Sequence, residues 1–128
     1  MIDKEHQYIL DRFGRLLVTH SRDVAIKMVE KILDGKMKSA TRSQISASLS
    51  NLTQEQRQAI HDLSVLTFNE TIGCFFEILE RYPEFKLIYK GNDECVNLLN
   101  ISDGLFGELF DEDGWIDRYS QFKELTLY

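Results

Sequence analysis

LTQEQRQAIHDLSVLTFNETIGCFFEILERYP, Leu52 to Pro83, is the stretch on which the fold of this 128-residue chain turns. Thr53 followed three residues later by Gln56 has the form of a capping box, in which each side chain satisfies the backbone N–H of the other. Leu63, Leu66, Phe68, Ile72, Phe75, Phe76 and Leu79 then trace a wide apolar face until Pro83, which lacks the N–H a helix needs, stops it. The spacing predicts a long central helix. Its face is broad enough to be expected under cover on several sides rather than open to water.

Working back toward the N-terminus, residues 3 to 20 place Ile9, Phe13, Leu16, Leu17 and His20 on one helical stripe. A second helix is expected to start at Ser21 as N-cap, to carry Ala25, Met28, Val29, Ile32 and Leu33 inward, and to stop at Gly35. The following KMKSATRSQISASLSN, residues 36 to 51, has a sparse apolar set and reads as a short helix between loops. Lys36, Lys38 and Arg42 fit a solvated connection better than a phosphate-contacting patch.

Beyond Pro83 the period changes from helical toward alternating. Phe85 to Lys90 and Cys95 to Ile101, separated by a Gly-Asn-Asp-Glu turn, predict a small antiparallel hairpin. Leu105, Phe106, Leu109 and Phe110, then Trp115, Ile116, Tyr119 and Phe122, predict two short helices flanking an acidic turn. The expected fold is therefore mainly α with a small antiparallel β-hairpin: one domain spanning residues 1–128, a helical bundle around a long central helix.

A chain of this length buries a core without metal or disulfide staples. Cys74 and Cys95 form no CxxC pair and have no neighbouring histidine, which predicts free, buried thiols. The N-terminal MIDKEHQYIL lacks the basic start and apolar run of a secretory signal, so a cytoplasmic location is expected. The net charge of −6 is unevenly spread. Residues 1–62 hold ten Lys/Arg and eight Asp/Glu, whereas residues 63–128 hold five and thirteen. A surface of that sign repels nucleic acid and anionic membrane and attracts cationic partners.

Asp-Glu-Asp-Gly at 111–114 invites a calcium loop, but with Gly114 at loop position 6 the first ligand position falls on Leu109 and the bidentate one on Ser120. His61-Asp62 has the dipeptide of metal-dependent phosphohydrolases, yet His6 and His20 are the only other histidines available to complete a cluster. With no nucleophile elbow and no Gly-rich phosphate loop, no catalytic residue, cofactor or metal is predicted.

What remains is the segment from Ser102 to Asp117, with six carboxylates and no Lys, Arg or His, interleaved with Phe106, Phe110 and Trp115. Asp103, Glu108, Asp111, Glu112, Asp113 and Asp117 are the expected partner-binding acids, with Trp115 and Tyr119 as aromatic anchors. The plainer reading makes the aromatics core and the carboxylates a solvated face. On the binding reading the chain is not an enzyme. It is a small acidic inhibitor, of the toxin-immunity or anti-defence type of bacterial or phage conflict systems, that occludes the basic active site of a partner such as a nuclease toxin. One alternative is a small-ligand module or enzyme with a pocket between the central helix and the hairpin, using Glu70, Glu77 or His61. Another is an oligomeric regulatory subunit working through the apolar face of residues 63–79.

Overall fold

The computed structural model describes residues 2–123. It is mainly helical with one two-stranded antiparallel sheet. Chain order is α1 (Lys4–Leu17), a π-helical turn (Val18–Arg22), α2 (Asp23–Leu33), α3 (Ala40–Ser48), α4 (Gln54–Arg81), β1 (Ile88–Lys90), β2 (Cys95–Asn97), α5 (Leu98–Ile101), α6 (Leu105–Phe110) and α7 (Trp115–Tyr119).

Ser21 does not cap a new helix. It lies inside the π turn, through which α1 runs into α2 with helical backbone on both sides. Leu10, Gly14, Val18, Arg22 and Ile26 are all buried at steps of four residues. In an α-helix each such step overshoots a full turn by about 40°, so the stripe would drift round toward solvent. The wider π turn takes up part of that drift and keeps Val18, Arg22 and Ile26 facing inward.

The central helix α4 carries both halves of the predicted capping box. The Gln56 N–H donates to Thr53 Oγ1 at 3.1 Å, and the Thr53 N–H donates to Gln56 Oε1 at 2.9 Å. Its buried side is Val65, Asn69, Phe76 and Leu79, packed toward α2 and α6. The expectation that its apolar face is covered on several sides fails, because Leu63, Leu66, Phe75 and Ile78 stay exposed. Among the described residues, neighbouring elements leave that side of the helix uncovered, and the sequence places large apolar residues on two sides.

The hairpin is shorter than expected: Ile88 pairs with Asn97, Tyr89 with Val96 and Lys90 with Cys95. Asn97 ends the second strand by accepting the Leu99 N–H at 3.1 Å, so the remaining apolar residues, Leu98 to Ile101, turn into α5. Phe85 falls outside the strand and is exposed.

The core gathers Ile9, Leu10, Val18, Phe76, Leu79, Val96, Leu98, Leu105, Leu109, Trp115 and Ile116 from α1, the π turn, α4, the hairpin and α5 to α7. Trp115 lies at its centre, edge-on to Phe13 with ring centroids 5.8 Å apart and to Phe76 at 6.5 Å. Cys74 and Cys95, expected to be buried, are both exposed. Cys74 lies on the outer side of α4, and Cys95 points away from the hairpin's packed face. Among the described residues no helix is long and apolar enough to cross a membrane.

Beside this apolar core is a polar one that the periodicity did not foreshadow. The Arg22 guanidinium is fully buried; its Nε donates to Asn69 Oδ1 at 2.8 Å and its Nη1 to Ser120 Oγ at 3.0 Å, with Asp23 Oδ1 at 3.7 Å. Ser120 Oγ donates in turn to Asp23 Oδ1 at 2.7 Å, and the Gln121 N–H donates to Asp23 Oδ2 at 2.9 Å. Burial pulls the Arg22 pKa below its ordinary value, and Asp23 opposes that shift. This cluster ties the end of α7 to the π turn and to the middle of α4.

Candidate acidic binding face

α6 and α7 are short amphipathic helices whose inner residues, Leu105, Leu109, Trp115 and Ile116, are held in the core. The four-residue turn between them, Asp111 to Gly114, is thereby pushed outward. It closes with the Gly114 N–H on Asp111 O at 2.8 Å. Asp113 adopts a left-handed backbone with φ 59°, a conformation that short polar side chains tolerate better than branched ones. Its N–H donates to Asp117 Oδ2 at 3.0 Å, so the first-turn carboxylate of α7 secures the turn. At Gly114 a β-carbon would come within 2.7 Å of the Asp111 and Glu108 carbonyl oxygens, and only glycine fits there.

The result is an open depression of about 390 Å³ lined by Asp103, Glu108, Asp111, Glu112 and Asp113 together with Gly104, Gly107, Gly114 and Arg118. Five of the predicted acids thus share one concavity, with Asp117 beside it through its bond to Asp113. Asp103, Asp111, Glu112 and Asp113 are exposed. Glu108 is half-buried; burial raises its pKa above the usual carboxylate range, partly offset by the Ser102 hydroxyl, which donates to its Oε1 at 3.2 Å.

Among the described residues, no Lys, Arg or His forms an ion pair with any of these six acids. Arg118 lines the same concavity: its Nη2 donates to Asp11 Oδ1 of α1 at 3.0 Å, its guanidinium carbon stands 5.1 Å from the centre of the Tyr119 ring, and its charge acts on Glu108, opposing the upward pull of burial there. The Asp11 bond holds the Arg118 pKa above its ordinary value.

The two aromatic anchors fare differently from the acids. Trp115 is 0% exposed, which corrects the expectation of a solvent-facing anchor. As the first residue of a helix packed over Gly14, its indole is a core side chain, as the plainer reading held. Tyr119 is half-buried, with its ring under Arg118.

No family profile, curated protein or solved structure matches this chain.

A groove does lie between the end of α4 and the hairpin, about 510 Å³ and open, lined among others by Glu80, Phe85, Lys86, Asn97 and Ser102. None of the three residues expected to serve it is there. Glu70 and Glu77 line a separate, smaller cleft with Cys74 and Phe106, and His61 lines a third depression near Glu30 and Arg57. Glu80 spends one oxygen on the Leu105 N–H at 2.9 Å, where it secures the start of α6. His61 sits 3.4 Å from Glu30 Oε2 and 3.6 Å from Asp62 Oδ1. Among the described residues, no three His, Cys, Asp or Glu side chains are grouped so as to hold a metal ion.

Proposed function

We propose that this chain is a small acidic binding protein, an inhibitor of the toxin-immunity or anti-defence type that covers the basic active site of a partner protein such as a nuclease toxin. The observation that supports this reading is the gathering of Asp103, Glu108, Asp111, Glu112 and Asp113 on one open concavity whose single cation among the described lining residues, Arg118, is hydrogen-bonded to Asp11. Like charges held that close weaken the compact state, and a cationic partner turns the cost into attraction. A nuclease cleft holds phosphates with Lys and Arg, and a carboxylate-lined surface presents the same charge in a similar arrangement. Acids at the rim of such a contact act mainly through the association rate, and the effect falls off over a Debye length of ~8 Å at physiological salt. Of the two aromatic anchors, only the half-buried Tyr119 retains surface, since Trp115 is buried.

The test is protection. Co-expressed with a basic toxin domain encoded by an adjacent gene, the native chain restores growth, and the triple change Asp111→Lys, Glu112→Lys, Asp113→Lys abolishes the rescue while the far-ultraviolet circular dichroism stays unchanged. Equal protection by the triple variant removes this face from the mechanism.

A further inference from the structure

The outer side of α4, continued by its C-cap residue Tyr82, carries a second stripe that nothing among the described residues covers. Leu63, Thr67, Thr71, Cys74, Ile78 and Tyr82 are all exposed, with Phe75 exposed alongside. Leu63 is 63% and Phe75 56% accessible. Phe75 and Tyr82, each about half exposed, present on the order of 100 Å² apiece. With Leu63, Ile78 and the small residues between, the face amounts to roughly 600 Å², at the upper end of what monomers leave open and at the lower end of what one partner contributes to a specific interface.

The spacing of the stripe says what fits it. Successive steps are 4, 4, 3, 4 and 4 residues, the same read in either direction. The midpoint lies between Thr71 and Cys74. Large side chains, Leu63 and Tyr82, stand at the ends, and two small ones, Thr71 and Cys74, stand at the centre, where two helix axes can approach closely. Such a stripe is complementary to itself when the second helix runs the opposite way: Leu63 meets Tyr82, Thr67 meets Ile78, and Thr71 meets Cys74 of the other copy, each contact occurring twice as a two-fold axis requires. The 4-4-3 step averages close to the α-helical repeat, so two such helices pair with little supercoiling, slightly right-handed.

We infer that the outer face of α4 is an interface for a second copy of this chain, joined antiparallel about a two-fold axis near Thr71 and Cys74. The surface lies on α4 and is independent of the acidic turn. Its modest area makes the dimer one of micromolar strength rather than a permanent one. Each copy carries a charge of −6, so added salt, which screens the mutual repulsion, tightens the dimer. The same salt slows association through the acidic face, which separates the two surfaces in one titration.

Sedimentation of the full chain at tens of micromolar is expected to show a dimer. Ile78→Asp, a change at an exposed position that leaves the circular dichroism intact, weakens it by roughly 100-fold. Thr71→Cys in a Cys95→Ser background places thiols at positions 71 and 74 in one layer of the antiparallel pair, and air oxidation then gives a covalent dimer whose peptide map joins 71 to 74. A monomer across the whole concentration range overturns the inference. So does a dimer indifferent to both Ile78→Asp and Leu63→Asp, or one whose cross-link joins 71 to 71.

Discussion

The Trp115 indole rests against Gly14, so closely that a β-carbon built on that glycine would overlap the ring. Gly14 is thus the recess in α1 that allows the only tryptophan to occupy the centre of the core, and the start of α7 is positioned by a residue about a hundred places earlier in the chain.

Gly14→Ala sets two effects against each other. Helix propensity favours alanine by about 1 kcal/mol, while forcing a methyl into a packed core costs about 1–3 kcal/mol or more. Because the ring is hemmed in by Phe13 and Phe76, the overlap is expected to win, with a net loss of about 1–2 kcal/mol. Urea melts followed by the fluorescence of Trp115 measure this directly, and an equally stable or more stable variant would show that the indole has room to move.

Removing one partner from the buried Arg22 cluster strands the other. Asp23→Ala is expected to cost about 3–5 kcal/mol, since it leaves a guanidinium in the interior without its counter-charge. Ser120→Ala, which deletes a hydroxyl bonded to both ions, costs about 1–3 kcal/mol. Among the described residues Arg22 Nη2 and Asn69 Nδ2 already lack acceptors, so the cluster is incompletely satisfied. Arg22→Met combined with Asp23→Asn should therefore recover most of the loss seen with Asp23→Ala alone. Chemical denaturation of the three variants decides it.

Glu108 gives a pH dependence with a definite sign. Burial raises its folded pKa above the unfolded value, so its protonated form favours the fold; that contribution is present at low pH and is lost as pH rises through the folded pKa. Glu108→Gln, which copies the protonated form, is expected to raise the melting temperature at neutral pH, with the difference closing at acid pH. A gap that stays constant across the titration would assign the effect to packing instead.

Both thiols should react with an aromatic disulfide reagent in the native protein without denaturant when the protein is dilute enough to be monomeric, as Cys74 and Cys95 are exposed in the single chain. Desolvation at the helix surface, then Glu70 and Glu77, hold the Cys74 thiol above its ordinary range, and its Sγ donates to Glu70 Oε1 at 3.7 Å. Two-phase kinetics are expected. Cys95→Ser should leave only the slow phase.

Among the elements, those legible from sequence were the ones coded by neighbours. The capping box of Thr53 and Gln56, the stop at Pro83 and the two short helices around the acidic turn all depend on residues within a turn or two of one another. The strand of Cys95 was overextended because an apolar run has the same composition in a strand as in a buried helical turn; Asn97, a helix cap in waiting, was the available signal. In the candidate site the acids were readable as a cluster along the chain, whereas the fate of Trp115 was not, since nothing local says whether an aromatic at helical spacing faces a partner or its own core.

Periodicity, caps and charge counts by themselves determined that this chain is a helical protein with a long α4, a small hairpin and an acidic second half. Tertiary structure alone decided that Arg22 and Asp23 lie in the interior under Ser120, that Gly14 receives Trp115, that Arg118 donates to Asp11 while the acids form no ion pair among the described residues, and that one apolar side of α4 stays exposed among them. Local patterns arise from short-range backbone hydrogen bonding, whereas the side chain that ends up opposite is set by packing between segments distant in the chain, which no spacing along it records.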